Sequence, residues 1–172
     1  MTALRTAAQQ ALEASRLREV LTYDQITGVF TWRAQTSKNS RRIAGELAGC
    51  PDNQGYLRIQ IDGKSYRAHR LAWLYVYGEW PTCHIDHVNG CRSDNRIVNL
   101  RDTTREVNLQ NQRKAVCTNK VGLLGVSVSG KSYRASIRID GVKRHIGVFK
   151  TAQLAHQAYV QAKRQHHTGC TI

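Results

Sequence analysis

The chain contains no apolar run of the length a bilayer-spanning helix needs, about 20 residues. Its opening stretch, MTALRTAAQQALEASRLREVL, lacks the continuous apolar segment of a secretory signal and carries charges throughout. CxxC pairs are absent, and the five cysteines (Cys50, Cys83, Cys91, Cys117 and Cys170) are odd in number. Neither a disulfide framework nor a zinc ribbon is signalled, and a reducing, intracellular setting is expected. Acidic side chains are scarce: 12 Asp and Glu stand against 26 Lys and Arg, a formal net charge of +14. An excess of that size points to a polyanion as partner.

At 172 residues the chain suits one domain or two small ones. The charge divides it unevenly. From Arg113 onward there are eleven Lys and Arg and a single acidic residue, Asp140. The shift places a boundary at 113–121, RKAVCTNKV. An N-terminal helix is expected within 1–22, a first module over 23–112, a linker at 113–121 and a second module over 122–172.

Local patterning gives elements for both modules. Thr27-Gly28 reads as a hairpin turn. In GYLRIQIDGKSYR, Leu57, Ile59 and Ile61 alternate with polar neighbours and Asp62-Gly63 is a favoured two-residue turn. AHRLAWLYVYG follows as a helix stopped by Gly78 and Pro81. In the last third, Tyr133, Ala135, Ile137 and Ile139 face one way while Ser132, Arg134, Ser136 and Arg138 face the other. Turns at Ser129-Gly130 and Asp140-Gly141 predict three short antiparallel strands. A helix capped by Thr151 follows, with Leu154, Ala155, Ala158, Tyr159 and Ala162 as its apolar stripe. The fold class is α+β. The sheet leaves an Arg-bearing face open, and the basic balance of this segment turns that face toward nucleic acid.

The stretch HIDHVNGCRSDNRIVNL, residues 84–100, concentrates the chemistry. Asp86 offers a hard carboxylate oxygen, and Mg²⁺ is typically held by one or two such protein ligands with water and phosphate. His87, next along a strand, points to the opposite face and is free to act as a base near neutral pH. Asn99 could accept a hydrogen bond from the other imidazole nitrogen and fix its tautomer. Asn108, midway along a helix beginning near 102–104, could supply a second ligand oxygen. Cys83, His84, His87 and Cys91 form a competing zinc set, but the adjacent Cys83 and His84 aim poorly at one tetrahedral ion. His69 opens an apolar helix and reads as a hydrogen-bonded structural histidine.

HRLAW, GEWP, IDHVNGCRSDNRIVNLR and REVNLQNQR together resemble the HNH nuclease family, in the branch common among phage homing endonucleases. The resemblance runs from Tyr23 to Gln112. It implies a ββα-metal module with Asp86 and Asn108 as ligands of one divalent ion (Mg²⁺ or Mn²⁺), His87 as general base and Asn99 as its orienting residue. The segment GLLGVSVSGKSYRASIRIDGVKRHIGVFKTAQLAHQAYVQAKRQHHTG resembles an AP2-type DNA-binding domain, which lays a three-stranded sheet in the major groove with one helix behind. On that resemblance Arg134 and Arg138 face DNA, with Arg113, Lys114, Lys131, Lys143 and Arg144 as further contacts.

The function expected is metal-dependent, site-selective cleavage of double-stranded DNA, in the cytoplasm of a bacterial host if the chain is phage-encoded. No membrane partner is expected, and no protein partner is indicated. The alternative is a sequence-specific DNA-binding regulator with an inactive nuclease module. An RNA-binding reading is weaker, because no aromatic stacking motif of the RRM type is present.

Overall fold

The computed structural model describes residues 14–33 and 43–172. Within them the chain is a mixed α+β protein with several small antiparallel sheets. It divides into two compact units, 1–103 and 104–172. The first thirteen residues of the expected N-terminal helix lie outside the described residues. Residues 14–20 are helical (α1) and bury Ala14, Leu17 and Val20.

In the first unit, β1 (Leu21–Asp24) and β2 (Val29–Trp32) form a hairpin in which Leu21 pairs with Trp32. Asp24 fixes the turn: its Oδ1 accepts the Ile26 N–H at 2.8 Å, and its carbonyl accepts the Gly28 N–H at 2.8 Å. Gly28 sits at φ 73°, and a Cβ there would lie 2.5 Å from Arg96 N and 2.6 Å from Asn95 C. Only glycine lets the hairpin approach that loop so closely. Tyr23 adds a second tie, its hydroxyl donating to the Asn95 carbonyl at 2.6 Å.

The next sheet has the order β3 (Cys50–Pro51), β4 (Leu57–Ile61), β5 (Lys64–Arg67). Its Asp62-Gly63 turn has φ 48° and 78°, the pair of positive angles that a type I′ hairpin requires. Helix α2 (Ala68–Tyr77) starts directly from β5 and ends at Gly78 in the left-handed conformation. Ala68, Leu71, Ala72 and Leu74 pack with Phe30, Ile59, Ile85 and Leu100 in one core. Phe30 is 1% exposed, and truncating a side chain so enclosed costs about 3–5 kcal/mol. On this core rest β6 (His84–His87) and β7 (Leu100–Thr103), paired antiparallel, with a 3₁₀ turn at Ile97–Asn99 leading into β7.

The second unit begins with α3 (Arg105–Gln110), capped by Thr104, whose hydroxyl accepts the Val107 N–H. A boundary at 113–121 would have left this helix with the first module. Its end instead bonds to the chain terminus: Gln110 Oε1 accepts the Gly169 N–H at 3.0 Å, and the Thr171 hydroxyl donates to Asn111 Oδ1. β8 (Val126–Ser129), β9 (Ser132–Ile139) and β10 (Val142–Phe149) form a sheet in the order β10-β9-β8. Helix α4 (Ala152–His166) packs on it, with Thr151 accepting the Leu154 N–H. Val126, Ala135, Ile137, Ala155 and Tyr159 make the core.

The stripe of α4 is displaced from expectation. Leu154 is 49% exposed, and the buried line runs Ala155, Tyr159, Lys163. Lys163 is drawn in because its Nζ donates to the Gln112 carbonyl at 2.5 Å, which satisfies its charge while its stem covers apolar surface. Among the described residues no helix is long and apolar enough to cross a membrane.

Candidate active site and basic sheet face

Strand pairing places Asp86 opposite Arg101 and His87 opposite Leu100. Asp86 is buried, and its Oδ2 accepts from Arg101 Nε at 2.9 Å and Nη2 at 2.7 Å. A carboxylate removed from water needs such a counter-charge. Arg101 becomes a partner of Asp86 only through the cross-strand register, which the local sequence does not mark. Asp102 anchors the start of β6: its carboxylate accepts the Thr82 N–H and hydroxyl at 2.7 and 2.8 Å and the Cys83 N–H at 3.0 Å.

His87 is 4% exposed. Burial lowers its pKa most, and the Arg92 charge lowers it further. The Asn95 amide, Asp86 and Asp94 act in the opposite direction without reversing the shift. The ring is therefore neutral at physiological pH and can take a proton. Around it stands an aromatic cluster. The His69 ring lies 5.0 Å from it, the Tyr56 ring 5.9 Å, and Tyr56 and His69 are 5.2 Å apart. His69, read from sequence as a structural histidine, thus forms one wall of the His87 pocket. Among the described residues its Nδ1 has no hydrogen-bond partner, and burial pushes its pKa down to about 3.

The asparagines each hold the loop between β6 and β7. Asn99 Oδ1 accepts the Asn89 N–H at 2.9 Å and its Nδ2 donates to the Asp94 carbonyl at 2.8 Å. Both ends of its amide are thus engaged by backbone. Asn99 thereby pins the loop that carries Asn95, whose amide acts on His87. Asn89 Nδ2 donates to Asp94 Oδ2 at 2.7 Å, and its Oδ1 accepts the Cys91 N–H at 2.8 Å. Asn95, the neighbour of the catalytic candidate, is 2% exposed.

Asn108 is half-buried on α3 and so belongs to the second unit. Cys83, His84 and Cys91 are exposed while His87 is buried. Among the described residues no three His, Cys, Asp or Glu side chains are grouped to hold a metal. The donors that remain are hard oxygens. Asp86 offers the hard oxygen donor that Mg²⁺ and Mn²⁺ take alongside water and phosphate.

In the second unit, cross-strand pairs share a face. Arg138 pairs with Lys143, Ser136 with His145, and Arg134 with both Val148 and Ser127. These residues form the outer face, opposite the buried Ala135 and Ile137. His145 joins that face, although the sequence reading gave it no role. Arg134 is steadied by Ser129, whose hydroxyl accepts from its Nη2 at 3.3 Å. Arg144 pairs with Ile137 and so stands on the other side of the pleat. Lys131 is at the β8–β9 turn and Lys114 is exposed in the connection. Arg113 is occupied in the fold, donating to the Thr171 carbonyl at 2.9 Å and to its hydroxyl at 2.5 Å.

A neutral buried imidazole thus stands next along the strand from a buried carboxylate. A family model described as HNH endonuclease matches residues 66–110, from β5 through α3. The matched segment contains His69, Asp86, His87, Asn99, Arg101 and Asn108. The match supports an HNH nuclease module here and, at that general level, nuclease activity with DNA as substrate. No curated protein and no solved structure matches the chain.

Proposed function

We propose that the protein is a divalent-metal-dependent, site-selective endonuclease of the homing type that hydrolyses double-stranded DNA. The observation that carries this is His87: buried, held neutral and adjacent to Asp86, inside the segment that matches HNH endonucleases. His87 takes the proton of the attacking water. Asn99 and Asn95 hold the loop and ring in place. Asp86 is the ligand carboxylate, and Asn108 is carried as the second oxygen donor on the sequence resemblance. A bound divalent ion supplies Lewis-acid stabilisation of the phosphate and leaving-oxygen charge. The AP2-like unit selects and holds the duplex through the outer face of its sheet.

One observation favours the second reading, a DNA-binding regulator. The Asp86 carboxylate is already neutralised by Arg101, so a cation must share or displace that bond. The deciding experiment incubates the protein with its own genomic DNA and Mg²⁺ or Mn²⁺ and maps the ends. Discrete ends with a free 3′ hydroxyl sustain the endonuclease. Intact DNA that is nonetheless bound selectively leaves the regulator.

A further inference from the structure

Two cations beside His87 have no place in the reading above. Arg67 and Arg92 both lie over the Tyr56 ring, their guanidinium carbons 4.4 Å and 4.9 Å from its centroid. One comes from the end of β5 and the other from the β6–β7 loop, so the fold brings them together from 25 positions apart. Each is also tied to Gln54. Arg92 Nη1 donates to its carbonyl at 2.9 Å, and Arg67 Nη2 reaches its Oε1 at 3.5 Å. Both side chains are exposed, and among the described residues neither is in a salt bridge. One carboxylate, Asp52, feels the Arg67 charge. Its Oδ1, however, is spent on the Gln54 and Tyr56 N–H groups at 2.9 and 3.0 Å.

Such an arrangement is unusual for surface arginines. Two like charges converge on one ring, against their mutual repulsion, and among the described residues neither is in a salt bridge. Stacking on an aromatic face orients a guanidinium and leaves its N–H edge available for bidentate bonding to phosphate. The platform is fixed, because Tyr56 is itself packed against the His69 and His87 rings.

We propose that Arg67 and Arg92, laid over Tyr56, form a phosphate clamp that seats a DNA strand beside His87. This rests on the reading of the chain as an enzyme acting on DNA. The clamp belongs to the first unit and is separate from the basic sheet face. It binds backbone and reads no bases, so its contribution is the same for every sequence.

The test uses full-length protein and a fluorescein-labelled duplex of about 30 base pairs, with EDTA in every binding titration so that binding is measured without cleavage. Anisotropy titrations over a range of salt compare wild type with Arg67→Ala/Arg92→Ala, Arg67→Lys/Arg92→Lys and Tyr56→Leu. Two lost phosphate contacts lower the magnitude of the log K against log salt slope by about two. The lysine pair recovers most of the slope. Tyr56→Leu keeps both charges but weakens binding, because the arms lose their alignment. Single-turnover cleavage with Mg²⁺ should fall by about tenfold or more in the alanine pair. Unchanged slope and affinity in a folded alanine pair overturn the clamp, even if the wild type cuts DNA. Arg-dependent binding by a wild type that never cuts sustains the clamp and defeats the endonuclease. Absence of any salt-dependent binding overturns both.

Discussion

The imidazole of His69 meets that of His87 edge to face, with centroids 5.0 Å apart and planes at 87°. His69 is on α2 and His87 on β6, so the contact locks a helix of the core to the strand that carries Asp86 and His87. The arrangement holds the His87 ring by packing.

The two roles of His69, ring and polar atom, separate by substitution. His69→Phe keeps the wall and removes the unbonded Nδ1, whose burial costs about 1–3 kcal/mol. Melting should therefore rise or stay level, with cleavage within threefold of wild type. His69→Ala opens a gap beside His87 and should cost about 2–4 kcal/mol together with a tenfold loss of cleavage. Equal cleavage by both variants would remove His69 from the positioning of His87.

Acid should find His69 first. Its folded pKa is pushed down to about 3 by burial and by the neighbouring charges, while the unfolded value is 6.5. The unfolded chain therefore binds a proton that the folded chain refuses. The stabilisation is complete above about pH 6.5 and is lost as pH falls toward about 3, by up to a few kcal/mol. Melting midpoints at about pH 7 and pH 4.5 should drop more for wild type than for His69→Phe. Parallel drops would assign the acid sensitivity elsewhere.

His87→Ala and Asp86→Asn divide base from ligand. The first should lower cleavage by about 10²-fold or more and leave duplex binding in EDTA at wild-type strength. The second keeps the shape of the side chain and removes its charge. It should weaken Mn²⁺ binding, followed directly by the loss of the free-ion EPR signal, as well as cleavage. A tightly held zinc released by Cys83→Ser would point to the Cys/His set instead.

The outer sheet face should show its own signature. Arg134→Ala and Arg138→Ala each remove one contact. A side chain reading guanine would cost about 1–3 kcal/mol at one base pair. One holding phosphate would lower the salt slope by about one on every sequence. Arg144→Ala, on the opposite side of the pleat, is the control and should change neither. Equal effects at all three positions would mean that the outer face is not the contact surface.

What could be read from the sequence was local. Asp62-Gly63, Asp140-Gly141, the alternation along β9 and the glycine stop of α2 are each fixed by a few consecutive residues. Asp86, His87 and Asn99 stand out in the sequence because three kinds of polar side chain crowd one short stretch. Their partners were hidden. Arg101 reaches Asp86 through cross-strand register, and Tyr56 and His69 reach His87 through tertiary packing, which leaves no mark at fixed spacing. The backbone N–H and C=O groups that engage the Asn99 amide are likewise set by the folded path of the loop and not by spacing. The end of α3 is bonded to residues 58–60 positions later, a tie that no composition shift at 113–121 announces.

Gly28 offers a remote control over all of this. It touches the loop through backbone atoms, which cannot swing aside as a side chain would, and the same loop positions Asn95 against His87. An alanine allele at position 28 would leave every chemical group in place and misalign them by a small displacement. Such a lesion is graded by temperature. A geneticist seeking a conditional form of this protein, active in the cold and silent when warm, would begin at a hairpin turn nearly sixty residues upstream of His87.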